Sequence, residues 1–198
     1  MLDHVFTDAI GAMREVFEAA HLERQAFEEH FQSDVLLGDL TFETSYGLPG
    51  EGLPPRVRVD VTLDWPTWSP TAYRLWYIGE EFAEPPRIDI ELVFRVQRLA
   101  TAPDPQVVLA VLPASSPDIG TEPLDRAGPT VETIHDRDLT STEYALEGSY
   151  EGSYELQEEA LGDGTASDKH FAAMGGWIAS MLVKLGDLRL EFLPPIEE

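Results

Sequence analysis

Apolar and polar residues alternate one by one through two long segments of this chain, and this period of two constrains the fold more than any other feature. In "RVRVDVTLDW" one parity holds Val57, Val59, Val61, Leu63 and Trp65. In "RIDIELVFRVQR" one parity holds Ile88, Ile90, Leu92, Phe94 and Val96. Side chains of a strand point to opposite faces in turn, so each segment predicts a strand with one buried and one solvated face. Strands of this kind typically form antiparallel sheets.

A third segment contains the tetrapeptide EGSY twice in succession, at 147–150 and 151–154. Its even positions carry aromatic, aliphatic and small residues: Tyr144, Leu146, Gly148, Tyr150, Gly152, Tyr154 and Leu156. Its odd positions from 143 to 155 carry only Glu, Ser and one Ala. A flexible linker has no reason to keep this parity, so the repeat predicts one long strand. A hairpin turning at residues 151–152 is the alternative, and each glycine marks a bulge or a close approach of another segment.

Two segments have helical spacing. Apolar residues spaced by threes and fours predict a long helix over residues 1–34, packed on the sheet or on another helix: Phe6, Ile10, Met13, Phe17, Ala20, Phe27 and Phe31. A second apolar series predicts a helix over residues 166–186: Phe171, Met174, Ile178, Met181, Leu182 and Leu185. Its small residues Ala172, Gly176 and Ser180 form a stripe that we expect to face the tyrosines of the EGSY strand.

Together these elements predict one α+β domain over residues 1–198. It comprises the N-terminal helix (1–34), a curved antiparallel sheet of about six to eight strands (35–161), the apolar C-terminal helix (166–186), and a short final strand with an acidic tail (187–198). Further strands are predicted at residues 72–78, 106–112, 130–134 and 188–193, and an irregular connection at 115–129. In element order this arrangement is similar to helix-grip folds. That resemblance implies a ligand cavity between the sheet and the C-terminal helix.

The net charge of −24 and the isoelectric point near 4.3 disfavour nucleic acid and anionic membranes, and they favour basic partners. Solubility alone, or an acid-biased proteome, would explain the same bias. The absence of cysteine excludes disulfides and cysteine-ligated metals. Acidic residues near the N-terminus, where an export signal carries Lys or Arg, and the lack of a long apolar run predict a cytoplasmic protein without a membrane span.

Two features are candidate partner-binding sites. Glu143, Glu147, Glu151 and Glu155 share one strand face, and no Lys or Arg occurs between Asp138 and Asp168. An internal charge lattice with sheet arginines such as Arg87 and Arg95 is the alternative. Trp68 lies between two prolines in a predicted turn, and exposed tryptophans often anchor interfaces. A hydrophobic clasp at the end of the sheet is the alternative for Trp68.

No catalytic, cofactor-binding or metal-binding signature is present, and the sequence favours a protein that is not an enzyme. We expect an acidic interaction protein, such as an adaptor, an immunity or inhibitor protein, or an assembly subunit, that binds a basic protein partner. It could also form a homo-oligomer through the N-terminal helix. The alternative is a helix-grip-like small-molecule binding protein or enzyme. A third hypothesis is a hydrolase that uses His135 with its neighbours Asp136 and Asp138.

Overall fold

The computed structural model describes residues 28–36, 39–48, 54–66, 71–72, 74–75, 78–81, 83–135, 142–156 and 165–194, with the backbone alone for those numbered 40 or below and for 165–166. They form a curved, open antiparallel sheet with a helix on one face, which confirms the α+β class. The elements are β1 (Glu28–Leu36), β2 (Asp39–Gly47), β3 (Val57–Trp65), β4 (Arg87–Leu99), α1 (Pro105–Leu109), β5 (Ser115–Ile119), β6 (Glu122–Arg126), β7 (Thr130–His135), β8 (Thr142–Glu155) and α2 (Thr165–Gly186).

The strands lie in the order β1-β2-β3-β4-β8-β6-β5, and β7 also pairs with β8. Every neighbouring pair is antiparallel. Strand β8 has 14 residues and runs beside β4 on one side. On its other side it pairs with β7 through residues 142–147 and with β6 through residues 150–151. The EGSY repeat is therefore part of one long central strand, as predicted, and not of a hairpin.

The two faces of the sheet differ as the alternation predicts. Buried and half-buried residues alternate without a break along β3, and a similar alternation continues in β4. Helix α2 lies against the apolar face, with contacts to β3 and β5. Its spacing of three and four brings one apolar side toward the sheet. The largest fully buried side chains are Trp65, Tyr46, Tyr150, Tyr154, Phe94 and Phe171.

Tyrosines of the EGSY repeat form the contact between β8 and α2. The ring centroid of Tyr150 lies 5.1 Å from that of Trp177, and the ring of Tyr154 lies 5.1 Å from that of Phe171. Both pairs are edge-to-face, a favourable geometry for aromatic rings. Ser180, in the stripe of small residues predicted to face these tyrosines, is exposed. That part of the prediction is wrong, because aromatic side chains of α2 occupy the contact instead.

The glycines of the repeat mark close approaches of covering segments. A Cβ atom added to Gly148 would lie 2.8 Å from Leu112 Cδ1, and one added to Gly152 would lie 2.7 Å from Leu124 Cδ2. Real Cβ contacts are essentially never this short. A larger residue at either position would therefore force Leu112 or Leu124 to shift from its place on the sheet.

Several predictions of local structure are wrong. Residues 28–34 belong to β1 and not to a helix, because pairing along the whole of β2 overrides the local spacing of apolar residues; residues 1–27 of that predicted helix lie outside the described part of the chain. The predicted strand at 72–78 has helical residues at 71–72 and 74–75. The segment 115–129, predicted to be irregular, contains the β5–β6 hairpin. The strand predicted at 130–134 is confirmed as β7.

Residues 106–112 were also predicted as a strand, and most of them form α1 and its C-terminal turn. The Asp104 side chain caps the helix, accepting from the backbone N–H of Gln106 at 3.0 Å, and Pro105 occupies the first helical turn. Arg126 donates to the carbonyl oxygens of Leu109 and Leu112 at the far end. The periodicity of a short apolar run does not distinguish a strand from a helix. Here the hydrogen bonds at the two ends of the segment stabilise the helix.

The C-terminal segment after α2 meets the sheet at one point. Arg98 has a φ of 61°, and the register of β4 with β8 shifts there. Its guanidinium donates to the carbonyls of Pro54 at 3.1 Å and Leu193 at 2.7 Å, although the residue is 3% exposed. The predicted strand at 188–193 is thereby reduced to a single bridge, Leu99 with Phe192.

Candidate functional site

The solvated face of the sheet carries the most distinctive charge arrangement among the described residues. The register of β3, β4 and β8 brings acidic residues of the three strands side by side. Asp64 of β3 pairs with Asp89 of β4, and Glu91 of β4 pairs with Glu151 of β8. Residues opposite each other in antiparallel strands have Cβ atoms about 5 Å apart and share a face. Four carboxylates therefore gather on one patch of the sheet.

This patch is the floor of an open groove, here called the acidic groove, with a volume of about 760 Å³. Its described lining contains four acidic residues and no Lys or Arg. The lining residues are Thr41, Thr62, Asp64, Asp89, Ile90, Glu91, Glu151 and Gly152. A groove of this volume lies within the usual range of ligand sites, and its charge favours a cationic occupant.

Two of the four carboxylates already have a partner. Asp64 accepts a hydrogen bond from Thr41 Oγ1 at 2.7 Å, and Asp89 forms an ion pair with Arg87 at 3.0 Å. Glu91 and Glu151 differ, because both are exposed and neither makes an ion pair with a described residue. Like charges directly opposite in a sheet are destabilising. The centre of the acidic groove therefore holds uncompensated negative charge.

The carboxylates in the other half of the same face are paired with arginine. Arg95 forms ion pairs with Glu147 and with Glu132, the latter at 2.6 Å, and its side chain is only 17% exposed. Arg58 pairs with Asp60 at 3.0 Å. This half is an internal charge lattice of the kind weighed as the alternative for the glutamates of β8.

The four glutamates predicted as one docking surface have different surroundings. Glu147 belongs to the arginine lattice, and Glu143 accepts from the backbone N–H of Arg98 at 2.9 Å. Glu151 lies in the acidic groove, and Glu155 is exposed opposite Arg87 in the β4–β8 register. Trp68, the fifth predicted site residue, lies outside the described residues. The partner-binding role of all five stays a prediction.

Sequence reasoning did not assign Asp64, Asp89 and Glu91 to a site. The alternation correctly predicted that all three are on the solvated face. Their proximity to Glu151 follows from the pairing of β4 with β8, strands whose paired residues are about sixty apart in the sequence. The sequence shows that the solvated faces of these strands carry carboxylates. It does not show which carboxylates lie opposite each other, because the strand register is set by tertiary structure.

The space between the sheet and α2, where the helix-grip resemblance implies a cavity, is filled at the residues that would bound it. Tyr150, Tyr154, Phe171 and Met174 are at most 2% exposed. The hydroxyl of Tyr150 donates to the carbonyl of Pro113 at 2.7 Å, and that of Tyr154 lies 3.0 Å from His170 Nδ1. Burial raises the pKa of each tyrosine to about 12, an effect that Arg126 partly opposes at Tyr150.

His135, the residue of the hydrolase hypothesis, ends β7 and is exposed. Its Nδ1 lies 3.4 Å from Thr142 Oγ1. Asp136 and Asp138 lie outside the described residues, so the hydrolase hypothesis for His135 stays a prediction. Within the described ranges no group of three or more His, Asp or Glu residues is placed to hold a metal ion.

Comparison with protein-family models, curated proteins and solved structures finds no match. Among the helices of the described residues, none combines the length and the apolar character needed to cross a lipid bilayer. Functional inference therefore depends on the chemistry of the sheet surface itself.

Proposed function

We propose that this protein is a non-enzymatic interaction protein that binds a basic segment of a partner protein in the acidic groove. An adaptor, an immunity or inhibitor protein, and an assembly subunit all fit this role. The observation that carries the proposal is Glu91 facing Glu151 at the centre of the acidic groove. Two exposed carboxylates held against each other lose their repulsion when a Lys or Arg side chain comes between them.

The charge of the whole chain supports the same role. A net charge of −24 creates a negative field that speeds the approach of a basic partner and repels nucleic acid and anionic membranes. The filled contact between the sheet and α2 favours this role over small-molecule binding in a helix-grip cavity. A cytoplasmic location, a contribution of Trp68 and homo-oligomerisation through residues 1–34 stay predictions.

The test is a double substitution, Glu91→Gln with Glu151→Gln, measured against a short peptide in which lysine alternates with serine. We expect slower association than for the wild type and a weaker dependence on salt, since two attractive charges are lost. The screening length falls to ~8 Å at physiological ionic strength, so measurements at low and physiological salt resolve the effect. The melting temperature should stay the same or rise, because a like-charge pair is removed.

A matched control removes two exposed carboxylates that do not line the acidic groove, Asp118→Asn with Glu191→Gln. It removes the same number of negative charges and should bind the peptide nearly as the wild type does. Equal association rates for the two double variants at low salt would show that the acidic groove is not the binding site. A peptide with glutamine in place of lysine should not bind any of the three proteins.

A further inference from the structure

Among the described residues, strand β7 has a paired neighbour on one side only. It pairs with residues 142–147 of β8, and no other described strand pairs with it. Strand β6 pairs with β8 further along the same side, and β5 covers the outer edge of β6. An added strand would lie beside β7 in the same way as β5 lies beside β6. Within the described part of the chain, one strand position of the sheet is thus open next to β7.

The side chains of β7 are exposed at five of its six positions. They include two large apolar residues on opposite faces of the strand, Val131 at 41% and Ile134 at 39% exposure. Valine, threonine and isoleucine all favour strands. The residues that would contact an added strand on both faces are therefore in place and accessible.

Natural proteins usually protect an exposed edge with lysine, proline or a bulge. The sequence of β7, TVETIH, contains no Lys, Arg or Pro, and its register with β8 is continuous. Nothing in the strand itself opposes pairing with another chain. An unprotected edge of this kind either recruits a specific strand or causes self-association.

Charge decides which strand fits. Beside β7, Glu132 and Glu147 share one arginine, Arg95, so this cluster keeps one net negative charge. A second copy of the chain would bring two molecules of net charge −24 together, whereas a basic strand is attracted to the same surface. The negative field thus prevents self-pairing while leaving the edge open to a cationic segment.

We infer that the outer edge of β7 is a strand-addition site for an extended basic segment of a partner protein. Main-chain hydrogen bonds to β7 supply affinity in this mode of recognition, and alternate side chains supply specificity. Val131 and Ile134 contact the apolar residues of the added strand, and the net negative charge of the chain attracts its lysines or arginines. This inference concerns a surface separate from the acidic groove and does not depend on it.

The experiment uses the full chain and a short peptide in which lysine alternates with valine. Hydrogen–deuterium exchange is measured with and without the peptide. We expect slower exchange of the amides in residues 130–135 when the peptide is bound, because an added strand accepts the outward N–H groups of β7. A peptide of the same charge with proline in place of valine cannot form the ladder, and it should leave β7 exchange unchanged.

Two single variants place a lysine on the edge, Val131→Lys and Ile134→Lys. Each should abolish the protection of residues 130–135 by the peptide, since edge lysines oppose strand addition. Val107→Lys on α1 is the matched control, because Val107 is 40% exposed and undergoes the same change. Its protection pattern should equal that of the wild type, and thermal melting checks that all three variants fold.

Equal protection by the proline peptide, or no protection of 130–135 by the valine peptide, would overturn the inference. Protection that appears without peptide as protein concentration rises, together with a dimer mass in sedimentation, would assign the edge to a second copy instead. The variant Glu91→Gln with Glu151→Gln should keep the protection of β7. If that variant alone loses peptide binding, the acidic groove is the site and the edge is not.

Discussion

At the scale of single residues, Gly152 allows Leu124 to pack closely against β8. A Cβ atom there would lie 2.7 Å from Leu124 Cδ2 and 3.4 Å from Leu124 Cα. The first contact is with a methyl of Leu124, which is 1% exposed and has little room to move, whereas the second is an ordinary van der Waals contact. We expect Gly152→Ala to lower the free energy of unfolding by about 1–3 kcal/mol through overpacking, as measured by urea denaturation.

Gly128 provides the comparison for this prediction. A Cβ atom at Gly128 would meet no atom within 4 Å. Gly128→Ala should leave stability unchanged or raise it slightly, since alanine restricts the unfolded chain more than glycine does. Equal stabilities of the two alanine variants would show that Leu124 moves aside without cost.

Residue parity was the reliable part of the sequence analysis. The faces of Val57, Leu92 and Tyr150 follow from alternation alone, and all three are buried as predicted. The roles of individual glutamates could not be predicted this way. Whether Glu147 or Glu151 meets an arginine depends on which residue of β4 lies opposite, and that residue is set by strand pairing.

At the scale of elements, the end of β4 depends on Arg98. Its buried guanidinium holds the loop before β3 through Pro54 and the C-terminal segment through Leu193. Its backbone N–H donates to Glu143, at the start of β8. Three segments distant in sequence are joined at one residue.

We expect Arg98→Met to lower the free energy of unfolding by about 2–4 kcal/mol, because hydrogen bonds from a charged group are lost and two carbonyls lose their donor. Exchange of the amides in residues 190–193 should accelerate more than exchange within β3. Arg189→Met, at an exposed position of the same C-terminal segment, is the control. Unchanged exchange at the C-terminus in Arg98→Met would mean that other contacts hold the segment.

Apart from residues 28–34, which were predicted as the end of a long helix and form β1, the wrongly predicted elements are short. The segment 106–112 fits strand and helix equally by composition, and the capping of α1 by Asp104 decides between them. The β5–β6 hairpin contains two prolines and has weak alternation, so its pairing with β8 is tertiary in origin. Long elements with clear periodicity, such as β8 and α2, were predicted almost to their ends.

At the scale of the whole molecule, the buried tyrosines determine how stability responds to alkali. The pKa of Tyr150 and of Tyr154 rises to about 12 on folding, chiefly because burial disfavours the phenolate. The unfolded chain has the ordinary tyrosine pKa of about 10. The unfolded state therefore loses its protons first as pH rises, and each proton lost favours unfolding.

We expect the contribution of these neutral phenols to be fully present below about pH 10 and to be lost between about pH 10 and 12, at about 2–3 kcal/mol for each tyrosine. Urea denaturation across that range measures it. Tyr154→Phe should be less stable at neutral pH, because the contact with His170 is lost, and should show a shallower decline in alkali. Equal slopes for the two proteins between pH 10 and 12 would contradict the assignment.

The position of β8 between β4 and the strands β6 and β7 affects how the chain folds during its synthesis. Strands β1 to β4 pair with sequence neighbours, so they can form a meander early in synthesis. Strands β5 to β7 are joined to that meander only through β8 among the described pairings. Until residue 155 leaves the ribosome, β4 exposes its edge on one side and β6 and β7 expose theirs on the other. Completing the sheet requires β8 to pair with β4 on one side and with β6 and β7 on the other, a long-range step that is intrinsically slow and exposes the nascent chain to aggregation.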